Sequence, residues 1–152
     1  MNPLRITVED FLESDPFYPC LLLVHPEIKR LREVADELRE GYAWPQVSIG
    51  GEMSEELLMV EPERRSREAV RWLEKRLRKL RPGPALSTDI DLLFEPSLEL
   101  APLALFRSAS RATRLVVMWP GTYHNGVLAY AVPEHSHYRT WNNPQVTIEV
   151  LT

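Results

Sequence analysis

The sequence predicts a three-layer α/β fold, in which a mostly parallel β-sheet lies between two layers of helices. Apolar runs of strand length alternate with segments of helical periodicity, which is typical of β-α-β units with right-handed crossovers. No linker is long enough to divide the 152 residues, so residues 1–152 are predicted to form a single domain. Asn125-Gly126, between apolar flanks, predicts a β-hairpin appended near the C-terminal end of the domain.

The first third of the chain is predicted to contain two strands, each preceded by a helix. A short helix is expected over residues 8–12. Residues 20–24 (Cys-Leu-Leu-Leu-Val) form a continuous apolar run, as expected for a central strand that is buried on both faces of a parallel sheet. Apolar residues then recur at helical spacing over 27–39. Residues 44–49 predict a second strand, which Gly50-Gly51 is expected to end.

The middle of the chain is predicted to add two helices and a third strand. A short helix is expected over 54–60, because Ser54 is a favourable capping residue. Over 66–80 a single apolar stripe recurs at helical spacing while arginines occupy the other face. Residues 85–93 predict the third strand.

The last third is predicted to contain one more helix and the strands that complete the sheet. Pro96-Ser97 opens a helix that is expected to reach residue 110. Residues 115–119 predict a fourth strand, which Pro120-Gly121 is expected to stop. A last strand is predicted over 145–151.

Composition excludes several functional classes. The single cysteine, Cys20, allows neither an intramolecular disulfide framework nor a cysteine-based zinc cluster. The start of the chain lacks the apolar segment of a signal peptide, and no apolar run approaches the roughly 20 residues of a membrane span. We therefore expect a cytoplasmic protein that makes no membrane contact.

The net charge of −4 conceals a strong asymmetry along the chain. Residues 61–81 contain nine Lys or Arg against four Glu, which gives +5 and leaves −9 for the rest of the chain. This segment offers Arg64, Arg65, Arg71, Arg76 and Arg78 as candidate contacts to the phosphates of DNA or RNA. The alternative is an ordinary solvated helix face, because the apolar stripe already explains the periodicity.

The turn after the first strand is one of two candidate ligand sites. In open α/β sheets ligands bind at the carboxyl ends of the strands, where a phosphate loop needs glycines, a lysine and a hydroxyl residue. This sequence has His25-Pro26-Glu27 at that place, followed by Lys29 and Arg30. It offers no glycine, and Glu27 adds negative charge. We therefore predict no cofactor; the alternative is that ATP and Mg²⁺ bind with Lys29 in the role of the phosphate lysine.

The second candidate ligand site is the acidic end of the third strand. Apolar residues lead to Asp89, with Asp91 close behind, as in a Walker B motif whose aspartate holds Mg²⁺. An acid at the end of a strand is also a common loop cap, and this alternative stays open.

Histidines give only a weak indication of a metal site. His135 and His137 alternate along an expected extended segment, so both would face one side. No third ligand accompanies them, and we predict no metal site.

The second half of the chain resembles a known family. The stretch 88–98 (Thr-Asp-Ile-Asp-Leu-Leu-Phe-Glu-Pro-Ser-Leu) is the most specific part, followed by Trp119-Pro120-Gly121-Thr122 and Asn125-Gly126. The resemblance closes with Pro133, His135, Tyr138 and Arg139. These residues are similar to those of BrxF, the small P-loop protein of type 3 BREX phage-defence systems.

The resemblance implies a P-loop NTPase-like core of the AAA+ or RecA type, with Asp89 at the Walker B position. The chain departs from the family at the first motif, because residues 25–30 replace the phosphate loop. We therefore expect a non-catalytic assembly or regulatory component that pairs with other phage-defence subunits or with an active paralogue. An ATP-hydrolysing subunit and a DNA-binding subunit are the alternatives, and a homo-oligomer is compatible with each.

Overall fold

The computed structural model describes residues 2–152, in which helices and strands alternate along most of the chain. The helices of these residues are α1 (Pro3–Glu13), α2 (Ile28–Tyr42), α3 (Ile49–Leu58), α4 (Arg65–Arg78) and α5 (Pro102–Ser110). The strands are β1 (Cys20–His25), β2 (Gln46–Ser48), β3 (Ala85–Thr88), β4 (Leu115–His124), β5 (Val127–Tyr130), β6 (Arg139–Asn142) and β7 (Thr147–Val150). Short 3-10 helices occur at Pro62–Arg64, Ile90–Phe94 and Pro96–Leu98.

Five strands form a parallel sheet in the order β2-β3-β4-β1-β7. The apolar strand β1 lies between β4 and β7, and Leu22 is in register with Val117 on one side and Ile148 on the other. Parallel neighbours require crossover connections, and these carry the helices. The predicted α/β class with a mostly parallel sheet is confirmed.

Helices cover both faces of this sheet. Alternate residues of a strand point to opposite faces, so Leu21 and Leu23 of β1 pack with α1 and α2, while Leu22 and Val24 pack with α3, α4 and α5. The first five residues of β1 are completely buried, which explains why that stretch of the sequence is apolar without interruption. The arrangement has the three layers that the sequence predicts.

The hairpin that Asn125-Gly126 predicts is present between β4 and β5. Asn125 (φ 50°) and Gly126 (φ 77°) both have positive φ, as the two central residues of a type I′ turn require. Strand β6, which the sequence patterns do not indicate, pairs with β5 and extends the hairpin to a three-stranded antiparallel unit.

Strand β4 is longer than predicted because Pro120-Gly121 does not stop it. The carbonyl of Pro120 accepts a hydrogen bond from the Ala131 amide at 2.9 Å. At Gly121 a Cβ atom would lie 1.9 Å from the carbonyl oxygen of Ala129, so glycine is required by close backbone approach. Pro120-Gly121, which was expected to stop the strand, is therefore the point at which the parallel part of β4 continues into the hairpin.

Strand β3 is shorter than the predicted segment 85–93. It ends at Thr88 because Asp89 adopts the left-handed conformation (φ 52°, ψ 51°), and residues Ile90–Phe94 then form a 3-10 helix. The helix predicted from residue 96 is also interrupted. Its first part is the 3-10 helix Pro96–Leu98, and Glu99 (φ 49°) separates that turn from α5.

Helix α3 begins earlier than predicted and includes the two glycines that were expected to end the second strand. Gly50 belongs to its first turn, where the Gly50 amide donates to the carbonyl oxygen of Asp89 at 2.8 Å. Space is also tight at this position, because a Cβ atom on Gly50 would lie 3.0 Å from that oxygen.

Candidate functional site

A small cavity of about 110 Å³ opens at the carboxyl ends of the parallel strands, between the sheet and α2. This is where open α/β sheets bind ligands. Its apolar wall comes from α2 and β4, including Leu31 and Met118. Its polar lining residues are Arg32, Asp36, Gln46, Thr88, Asp89 and Asp91.

The turn between β1 and α2 contains only Pro26 and Glu27. Proline has no amide donor, and the Glu27 amide donates to Nδ1 of His25 at 3.0 Å. Glu27 occupies the N-cap position without a side-chain capping bond, so its carboxylate is at the helix start where a phosphate would have to approach. A phosphate loop encloses its anion with several free amides, and this turn is too short to do so.

Lys29 and Arg30 do not line the cavity. Lys29 is exposed on the first turn of α2. Arg30 donates from Nε to the carbonyl oxygen of Thr152 at 2.9 Å and forms an ion pair with Glu33 at 3.4 Å. The base that reaches the cavity is Arg32, which the sequence analysis missed. Arg32 lies four residues from Ile28 and four from Asp36, and both of these residues also line the cavity. Residues four apart share one face of a helix, so this spacing is the sequence signal that points to Arg32.

Asp89 directly follows β3 and lines the cavity. Its carboxylate accepts a hydrogen bond from the Ser48 hydroxyl at 2.6 Å, and its backbone carbonyl accepts from the Gly50 amide. Asp89 therefore links the end of β3 to the junction of β2 and α3, and its side chain makes no capping bond to the 3-10 helix that follows it.

Asp91 also lines the cavity, but it is bonded to the hairpin. The Tyr130 hydroxyl donates to its Oδ1 atom at 2.6 Å, and the Tyr130 ring stacks on Phe94 with centroids 3.7 Å apart. Burial raises the pKa of the Tyr130 phenol, and the hydrogen bond to Asp91 raises it further. Tyr130 therefore remains a protonated donor to Asp91 across the ordinary pH range.

The five candidate arginines of residues 61–81 divide into two groups. Arg65 donates to the carbonyl of Val60 at 2.9 Å, and Arg76 donates to Glu52 of α3 at 2.9 Å, so both are half-buried contacts within the domain. Arg64, Arg71 and Arg78 are exposed.

His135 and His137 lie in a turn between β5 and β6, so the extended segment expected for them is wrong. The His137 amide donates to Nδ1 of His135 at 3.0 Å. Within residues 2–152 no group of three or more His, Cys, Asp or Glu side chains is arranged to hold a metal ion.

Comparison with known proteins gives no neighbour for this chain: no family model, curated protein or solved structure matches it.

Among the helices of residues 2–152, none has both the length and the apolar character needed to cross a membrane.

Cys20 contributes no reactive group to the site. It lies at the opposite end of β1, is completely buried, and burial raises the pKa of its thiol to about 12. A thiol with this pKa has almost no nucleophilic thiolate at neutral pH.

The size and charge of the cavity limit what it can bind. Pockets for drug-sized ligands and cofactors usually have volumes of about 300–1,000 Å³, whereas this cavity has about 110 Å³. Its lining contributes three carboxylates and one guanidinium, and one carboxylate, Asp36, already pairs with Arg39 at 2.5 Å. The arrangement therefore suits a few water molecules or a small ligand rather than a nucleoside triphosphate.

Proposed function

We propose that this chain is a non-catalytic, P-loop-like assembly or regulatory component of a prokaryotic phage-defence system of the BREX type. The sequence support is the resemblance of residues 88–98 and of the later Trp-Pro-Gly-Thr segment to the BrxF family. In this proposal the protein acts in the cytoplasm without bound nucleotide, and its partners are other defence subunits or an active paralogue.

The strand order supports the P-loop-like part of the proposal. In P-loop NTPases the phosphate loop and the Walker B aspartate act on one nucleotide, so the strands that carry them must end at the same edge of the sheet. Here β4 lies between β1, which precedes the replaced loop, and β3, which precedes Asp89. The two segments that the sequence analysis compared with nucleotide motifs therefore end at the same edge of the sheet.

The observation that carries the non-catalytic part is the two-residue turn between β1 and α2. The amide of Glu27 is already bonded to His25, and Pro26 has none. Asp89, the candidate magnesium ligand, is engaged by Ser48 at 2.6 Å. The hydrolytic alternative gains no support from Lys29, which lies outside the cavity lining.

Co-purification tests the assembly role. The tagged chain is co-expressed with the products of its neighbouring genes, and a parallel sample carries the tag alone. We expect the tagged chain to retain at least one neighbouring product and to elute with it as a complex during size-exclusion chromatography. Elution of the chain by itself, with no BREX-type methyltransferase or phosphatase gene beside its own, would contradict the proposal.

A further inference from the structure

Helix α4 exposes an unbroken line of basic side chains along its solvent side. The residues are Arg64, Arg67, Arg71, Lys75 and Arg78, and we refer to them as the basic stripe. All five are exposed. Arg64 ends the 3-10 helix Pro62–Arg64, which leads directly into α4.

The spacing of the basic stripe keeps its charges on one side of the helix. The steps along the chain are three, four, four and three residues, and at 3.6 residues per turn they remain within an arc of about 80°. The buried residues Ala69, Leu73 and Leu77 occupy the opposite side. At 1.5 Å per residue the stripe is about 21 Å long, which equals the axial rise of about six nucleotides of one DNA strand.

Most basic side chains of the stripe form no ion pair within the described residues 2–152. Arg71 forms an ion pair with Glu68 at 3.4 Å. In residues 2–152, no carboxylate lies within ion-pairing distance of the other four bases. Arg65 and Arg76, which bond within the domain, lie to the side of the stripe. The structure therefore changes the set of candidate residues, because Arg67 and Lys75 replace Arg65 and Arg76.

We propose that the basic stripe binds the phosphodiester backbone of a nucleic acid. Four of its five residues are arginines, whose planar guanidinium groups bind phosphate oxygens in pairs. Protein interfaces depend on buried apolar or aromatic anchors. Half-buried Trp72 shares a groove with Arg71 and Lys75, so binding of an acidic protein is the outcome that the test must distinguish. Contacts to phosphates alone carry no sequence information, and binding is therefore independent of base sequence.

The charge of the remaining chain confines the contact to this helix. Outside residues 61–81 the chain sums to −9, which repels a polyanion from the other surfaces. This inference concerns α4 alone and does not depend on the P-loop-like character of the domain.

Fluorescence anisotropy with labelled 20-nucleotide probes at about 50–200 mM NaCl tests the proposal. The nucleic-acid probes are single-stranded DNA, double-stranded DNA and single-stranded RNA, and labelled poly-glutamate is a fourth probe that represents an acidic protein. The wild-type chain is compared with the variant Arg67→Gln/Arg71→Gln. A control of equal charge is Arg5→Gln/Arg39→Gln, whose exposed bases lie on α1 and α2.

We expect the wild type to bind at low salt and to lose affinity steeply as salt rises. The stripe variant should bind roughly tenfold more weakly, and the slope of log K against log[salt] should fall by about 2, because two phosphate contacts are lost. The control should bind as the wild type does, and comparison of the three nucleic-acid probes identifies the preferred form of nucleic acid. The proposal is wrong if no probe binds at low salt, if the control loses as much affinity as the stripe variant, or if poly-glutamate binds while the nucleic acids do not.

Discussion

At the scale of the residue, Asp89 has a defined structural role at the end of β3. Its side chain accepts the Ser48 hydroxyl, and its carbonyl accepts the Gly50 amide. Its left-handed backbone conformation is one that Asp and Asn tolerate better than alanine does, because their short polar side chains bond locally. Asp89 therefore stabilises the junction of β2, α3 and β3, whatever else it binds.

We predict that Asp89→Ala lowers the free energy of unfolding by about 1–2 kcal/mol, whereas Asp89→Asn changes it by less than about 0.5 kcal/mol. Alanine loses the bond from Ser48 and is strained at positive φ, while asparagine keeps an acceptor oxygen and tolerates that conformation. Urea unfolding followed by circular dichroism measures both variants.

Asp10→Ala, which removes an exposed acid from α1, is the control for these two variants and should be neutral within about 0.5 kcal/mol. An Asp89→Ala protein as stable as the wild type would show that Asp89 does not stabilise this junction.

The sequence predicts a strand that includes Asp89, but it does not reveal which base lines the same cavity. The apolar run is a local feature, so the strand can be predicted there, whereas its end at Thr88 follows from the left-handed conformation of Asp89. The choice between Lys29 and Arg32 depends on the rotation of α2 about its axis, which is set by packing of Leu31, Val34 and Leu38 on the sheet. Helical spacing shows which residues of α2 share a face, but the way that face packs on the sheet depends on tertiary contacts.

At the scale of the element, β4 connects the parallel sheet to the antiparallel hairpin. The Trp119 indole donates to the carbonyl oxygen of Ala129 at 3.0 Å, while Gly121 allows the same carbonyl to approach the backbone. Trp119 is completely buried and forms T-shaped aromatic pairs with Phe94 and Trp141. The hairpin is therefore part of the core rather than a surface appendage.

We predict that Gly121→Ala lowers the free energy of unfolding by about 3 kcal/mol or more, because the new Cβ atom would overlap the carbonyl of Ala129. The buried environment of Trp119 should change as well. Urea unfolding and near-ultraviolet circular dichroism measure the two effects.

The matched control for this variant is Gly41→Ala in the last turn of α2, where no atom lies within 4 Å of the added Cβ. It should stabilise the protein by up to about 1 kcal/mol, because alanine has the higher helix propensity. If Gly121→Ala is tolerated as well as Gly41→Ala, the close approach of the hairpin to β4 is incorrect.

The helices and strands with strong periodicity are the ones that the sequence predicts well. β1, α2 and α4 lie within a few residues of their expected bounds, because long apolar patterns report burial directly. Several errors occur at glycine and proline. The sequence predicts that Gly50-Gly51 and Pro120-Gly121 end strands, but Gly50 and Gly121 serve close backbone contacts, and Pro96 begins a 3-10 turn instead of a long helix. The end of β3 before Asp89 and the presence of β6 are also not predicted.

At the scale of the whole molecule, the topology brings the end of β1 and the end of β3 to one edge of the sheet, with β4 between them. The sequence predicts the alternation of strands and helices. The strand order depends on pairing between strands that are far apart in the sequence, so only the three-dimensional structure reveals it. The edge retains a cavity with Asp89 in its lining and has a two-residue turn where a phosphate loop would be required.

We expect the edge formed by the ends of β1 and β3 not to bind a nucleoside triphosphate, and isothermal titration calorimetry with ATP and Mg²⁺ measures such binding. We predict no saturable heat up to about 1 mM nucleotide, for the wild type and for Asp89→Asn alike. Binding with a Kd of about 1–10 μM that Asp89→Asn abolishes would overturn this prediction, because it would require a phosphate cradle and a magnesium ligand at this edge.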